Sequence, residues 1–242
     1  MSLRLGLSAT LAFTVALPAA AFWQAQSNPQ TSAHMREHFA KVIEAHDAVV
    51  RGDLESVKVP AEWLAAHDPS PELDKASAAQ VSVMRQAARR VADATELPAA
   101  AQGTAAMLAA CGDCHRAAGV VPPMAVPADP HVGGTVGHML EHKHAIDLMM
   151  QGLIVPSAAL WQQGAAALRH APLKARDLPR DPKLTRQILA SEDEVHLLAD
   201  RAASATEQPA RVATYAQVIA ACGRCHGLHG RIWGPGVPPA GN

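Results

Sequence analysis

All four cysteines of the chain fall in two C-x-x-C-H strings, Cys111-Gly112-Asp113-Cys114-His115 and Cys222-Gly223-Arg224-Cys225-His226. On one helical turn, two thiols three residues apart can form thioethers to both vinyl groups of a porphyrin. The histidine that follows can then turn its imidazole onto the iron. This string is the attachment signature of c-type haem. A zinc ribbon would separate its C-x-x-C pairs by roughly 15–20 residues, whereas these stand 111 apart. A thioredoxin-like redox pair would sit beside a βαβ pattern, which the sequence lacks. Two local disulfides would leave the histidine after each second cysteine unexplained. The expected cofactor is therefore two covalent haem c groups, attached through Cys111, Cys114, Cys222 and Cys225, with His115 and His226 as proximal iron ligands.

The sixth iron position asks for a second donor, and a recurring cluster offers one. His34-Met35-Arg36-Glu37-His38 returns as His138-Met139-Leu140-Glu141-His142. His34, Met35 and His38 fall within about 100° of arc on an ideal helix, as do their counterparts. Met35, His38, Met139 and His142 are the candidate sixth ligands; a methionine would give a higher potential than a second imidazole. His34 and His138 rank behind them because they fit the apolar stripe less well. Glu37 and Glu141 are candidates to orient a neighbouring imidazole. His46 and the Met149-Met150 pair read as core residues, and His67 and His170 as solvent-facing or capping. Arg90 and Arg201, which match at the same offset as the cysteine motifs, are candidates for haem propionates or helix-surface ion pairs.

Stepping out from the motifs, the chain is a tandem repeat. Ala94-Thr95-Glu96-Leu97-Pro98-Ala99 returns as Ala205-Thr206-Glu207-Gln208-Pro209-Ala210, at the 111-residue offset of the cysteine motifs, while the histidine clusters repeat at 104. Unequal offsets mean that loops changed length between the halves. Each half reads as four helices. Met35, Phe39, Val42, His46 and Val49 mark one face of the first, and Met139, His142, Ile146 and Met149 mark its counterpart. A shorter second segment carries Trp63 or Trp161. Third helices are expected over 77–94 and 184–205. Thr95 and Thr206 are expected to cap the fourth helices, with Pro98 and Pro209 in the first turn, and these helices end in the cysteine motifs. No segment shows convincing period-2 alternation, so the fold class is all-α. Domain boundaries follow: 22–118 for the first unit, a Pro/Gly-rich linker over 119–136, 137–230 for the second unit and a flexible tail over 231–242.

A four-helix unit with C-x-x-C-H near the end of its last helix resembles the cytochrome c′ family, the class II cytochromes c. Met35-x-x-His38-Phe39 with Val49-Val50-Arg51-Gly52, and Met139 through Gly152, resemble that family's first helix, which supplies the residues over the open haem face. The resemblance covers both halves and implies two tandem four-helix-bundle units, each with one haem. It also implies a second function, binding or sensing of NO or CO at an open haem position, and leaves a homodimer open.

The first 21 residues read as a cleaved signal peptide: Arg4, an uncharged apolar run from Leu5 to Leu17, then Pro18-Ala19-Ala20-Ala21. That run is shorter than the roughly 20 residues of a spanning helix. No membrane span is expected after cleavage, and the localisation is periplasmic. Lys and Arg number 21 against 22 Asp and Glu. A balance so near zero, without a basic run, gives no electrostatic basis for nucleic acid. Aromatic residues make up only 3% of the chain, so a large apolar cofactor is expected to replace missing core volume. No Ser/His/Asp or paired-carboxylate constellation points to an enzyme. Dihaem peroxidases carry each haem motif near the start of its domain, unlike this chain. The expected function is an exported dihaem c-type cytochrome that transfers single electrons between periplasmic redox proteins.

Overall fold

A computed structural model describes residues 29–67, 75–125, 134–169, 173, 178 and 180–229. The expected signal peptide, the tail, His170 and part of the linker lie outside the described residues. Within them the chain is all helical, with eight helices and no strand: α1 Pro29–Arg51, α2 Leu54–Ala66, α3 Lys75–Ala92, α4 Leu97–Ala118, α5 Gly134–Ile154, α6 Ala158–Arg169, α7 Pro182–Ser204 and α8 Gln208–His229. No helix among these residues is long and apolar enough to cross a membrane.

Hydrophobic patterning decides which helices lie inside. α3 buries Ser77, Val81, Met84, Ala87, Ala88 and Val91, and α7 buries Ile188, Glu192, Val195, Leu198, Ala199 and Ala202. These are single stripes at spacings of three and four, the mark of helices with one wet face. The two stripes are in register at the 111-residue offset. α4 and α8 are buried on several faces, from Ala100 to Gly112 and from Thr214 to Gly223, so they occupy the middle. Successive helices pack in chain order within each half. The halves meet along α4 and α8, with α1 also on α8 and α5 also on α4. One continuous core results, containing Val42, Leu64, Met107 and Leu108 from the first half and Ile146, Trp161, Tyr215 and Ile219 from the second.

Several local expectations are corrected. α5 begins at Gly134, so the last three residues assigned to the linker are helical. α3 stops at Ala92 and α7 starts at Pro182, two residues from the expected bounds. Thr95 is not the cap of α4; that place belongs to Glu96, whose side chain makes no capping bond. Pro98 in the first turn has no N–H to offer, and the Ala99 and Ala100 N–H groups both reach the Glu96 carbonyl. Trp161 and Trp63 hold different places in their helices. Trp161 is buried near the start of α6 and donates from its indole nitrogen to Ala202 O at 2.8 Å, whereas Trp63 is half-buried near the end of α2.

Side-chain capping does occur at Asp53, which accepts from the Ser56 backbone N–H at 3.1 Å and from the Ser56 hydroxyl. These bonds, the Ser56 hydroxyl first, hold the Asp53 carboxyl below its usual range against the effect of partial burial, with Arg51 assisting. A carboxyl whose folded pKa is depressed stabilises the fold above its unfolded pKa and loses that contribution as pH falls through the folded pKa. Asp53→Ala is expected to cost about 1 kcal/mol at neutral pH. Urea unfolding of the two proteins should converge in strong acid.

Candidate functional site

Both C-x-x-C-H strings lie in the last turns of the central helices, at the ends of α4 and α8. Cys222 is buried, and Cys111 packs partly buried against the core. Burial and the neighbouring thiol push Cys111 and Cys222 up to about 12. Thiols so poised are protonated at neutral pH, unlike the electropositive cysteines of nucleophilic redox pairs. Among the described residues, the groups of three or more side chains placed to hold a metal ion include no cysteine.

Each motif histidine is braced by the other half of the chain. His115 donates from Nδ1 to the Ile154 carbonyl at the end of α5, at 2.9 Å. His226 donates from Nδ1 to the Val50 carbonyl at the end of α1, at 2.6 Å. A carbonyl can only accept, so both rings carry the proton on Nδ1 in these bonds and are left with Nε2 for a metal. An imidazole that ligates a metal usually gives its other N–H to such an acceptor. Burial lowers the pKa of His226, against the opposing effect of the Val50 carbonyl, which favours the neutral ring a metal needs.

Glycine makes this approach possible. A Cβ on Gly112 would stand 2.1 Å from Leu153 O, and one on Gly223 would stand 2.4 Å from Val49 O. The residue after the first cysteine of each motif is thus the point at which the opposite half's first helix touches the backbone. Gly52, just past α1, adds a third close contact, because its Cβ would stand 2.4 Å from Gly223 O. Its φ of +73° also suits glycine.

The histidine pairs on α1 and α5 gather further side chains. His34 and His38 stand with His67, their ring centroids 4.3 to 5.1 Å apart, and Trp63 stacks on His67 at 4.0 Å. His138 and His142 stand with Glu192 of α7. Glu192 approaches His138 Nε2 at 3.1 Å, His142 Nε2 at 3.6 Å and His196 Nε2 at 3.3 Å. His38 and His142, equivalent in the repeat, are both buried; His38 Nε2 has no hydrogen-bond partner, whereas His142 Nε2 faces the Glu192 carboxylate at 3.6 Å. Burial, then the charges of His34 and His67, bring His38 down to about 4, so its ring is neutral near pH 7. Burial raises Glu192, but bonds from His138 and His142 outweigh that and hold it at about 2. In the second half the cluster faces the motif: the Glu192 charge acts on Cys222 and Cys225, and the His142 charge on His226.

Met35 and Met139 are half-buried. His67 was expected at the surface or as a cap. Its backbone N–H does bond to Trp63 O at the end of α2, but its ring belongs to the imidazole cluster. Glu37 is exposed, and the carboxylate that reaches the imidazoles is Glu192. Arg90 and Arg201 are exposed on the outer helices. Met149 and Met150 are buried in the core, as expected. His46 is also a core residue: its Nε2 donates to the Tyr215 hydroxyl at 2.8 Å, which donates to Ile146 O at 3.1 Å, while Nδ1 meets Asp47 at 3.1 Å.

Compared with protein-family models, curated proteins and solved structures, the chain matches none. The functional reading therefore rests on the motif residues and on what surrounds them.

Proposed function

We propose that this chain is an exported dihaem c-type cytochrome that carries single electrons between periplasmic redox proteins. The observation that carries the reading is the bracing of His115 and His226. Each follows its C-x-x-C pair, and each has Nδ1 committed to a carbonyl, which leaves Nε2 as the ligand atom. The orphaned Nε2 atom of His38 is a second fit, because a buried imidazole nitrogen without a partner is costly unless something ligates it, and His142 is its buried equivalent in the repeat. Cys111, Cys114 and His115 would hold one haem, with His38 as the distal donor. Cys222, Cys225 and His226 would hold the other, with His142 opposite. Bound haem supplies a one-electron Fe(III)/Fe(II) couple.

The protein's own part is to hold those donors still and keep water from the iron. In this arrangement α1 serves both sites: His38 near its start is the distal donor of the first, and Val50 near its end braces the second. About 18 Å of helix separates the two residues, at 1.5 Å per residue. α5 does the same with the roles exchanged, through His142 and Ile154. The halves are thus two c′-like four-helix units whose first helices each reach into the other's haem site. Two donors on each iron favour electron transfer over ligand exchange.

The test is the visible spectrum of the purified, dithionite-reduced protein before and after carbon monoxide is added. The expected result is a low-spin spectrum that carbon monoxide leaves unchanged. A Soret shift in either haem would reveal an open position and move the reading to binding or sensing of a small gas such as NO or CO.

A further inference from the structure

The two histidine pairs are equivalent in the repeat, but their surroundings differ by one buried charge. Glu192 lies on the buried stripe of α7, in the place that Val81 takes on α3. Its carboxylate draws in imidazoles from two helices, His138 and His142 of α5 and His196 of α7. In the first half the corresponding pair meets His67, so that cluster consists of three imidazoles and no acid. The position of His196 is taken there by Arg85, whose Nε donates to Ala65 O at the end of α2, at 3.0 Å.

We propose that Glu192, as a buried carboxylate beside His142 without a first-half counterpart, makes the second iron the harder of the two to reduce. The proposal rests on the dihaem reading above. A negative charge in a low-dielectric interior interacts strongly with a nearby cation, and the ferric state carries one more positive charge than the ferrous. Hydrogen bonding and buried charge around an iron's ligands are recognised means of setting its potential. Here the buried charge acts, and on one site only. An electron delivered to the second iron then passes to the first: the second goes from Fe(II) to Fe(III) and the first from Fe(III) to Fe(II). No bond or proton is exchanged.

The experiment is a spectroelectrochemical titration of the dihaem protein and its E192Q variant, which keeps the shape of the side chain and removes its charge. The expected result is a rise in one of the two one-electron steps by at least a tenfold change in equilibrium, about 59 mV. The other step should stay in place, with two haems retained and the low-spin spectrum unchanged. E192D, which keeps the charge, should leave that step closer to wild type. V81E, where it folds, should lower the other step. An E192Q protein with two haems and both steps unmoved, or both moved equally, overturns this proposal alone. A wild-type chain without covalent haem overturns it together with the function on which it rests.

Discussion

Gly223→Ala and Gly112→Ala are each expected to destabilise the protein by about 2–4 kcal/mol, taking an overpacking cost together with a weakened buried hydrogen bond. In an exposed helix the same change would stabilise by up to about 1 kcal/mol, so the sign is diagnostic. The new methyl of Gly223→Ala would lie 2.4 Å from Val49 O and 2.7 Å from a Leu97 methyl. A side chain can rotate away, but the backbone carbonyl of α1 can retreat only if the helix moves. That movement carries Val50 away from His226, whose Nδ1 loses its acceptor. Gly112→Ala acts in the same way on Leu153 and, through Ile154, on His115. Gly227 provides the control, since a Cβ there meets nothing within 4 Å, and Gly227→Ala should leave stability unchanged or slightly raised. Urea unfolding of the three variants checks the set. Wild-type stability in both Gly112→Ala and Gly223→Ala would mean that the first helices do not bear on the motifs as described.

Removing the proposed distal donors should have the largest spectroscopic effect. His142→Ala is expected to convert one haem from six-coordinate low spin to a form that takes carbon monoxide, so that about half of the Soret intensity responds. His38→Ala should convert the other, and the double variant both. The burial of these two equivalent imidazoles, and the orphaned Nε2 of His38, are the reason for choosing them over Met35 and Met139, which are half-buried. Met35→Ala and Met139→Ala should therefore leave the reduced spectrum and its indifference to carbon monoxide unchanged. Silent histidine variants beside responsive methionine variants would transfer the ligand role to the methionines.

The sequence made the local parts of this account legible and concealed the long-range ones. C-x-x-C-H needs only one helical turn, and the repeated His-x-x-x-His pairs declare a shared helix face. Their retention in both halves marked them before any packing was visible. Glu192 was not marked, because Ser191-Glu192-Asp193-Glu194 reads as a solvated acidic run. Only the match of α7 to α3 at the repeat offset, which makes Glu192 the equivalent of Val81 on a buried stripe, distinguishes it. The braces on His115 and His226 are backbone carbonyls, and a carbonyl has no residue signature. Their trace in the sequence was indirect: a glycine after the first cysteine in both motifs, where a helical interior otherwise disfavours one. His67 went unrecognised for a related reason, since its place in the imidazole cluster depends on how the end of α2 turns against α1.

The most direct test of the central claim is a count of the haem that remains attached to the chain after denaturation and acid–acetone extraction. The count is needed for the wild-type protein and for two variants, Cys111→Ala/Cys114→Ala and Cys222→Ala/Cys225→Ala, all produced by an exporting, haem-attaching host. The account predicts two haems per wild-type chain and one in each variant. A wild-type chain that retains none, or a variant that still retains two, would contradict it.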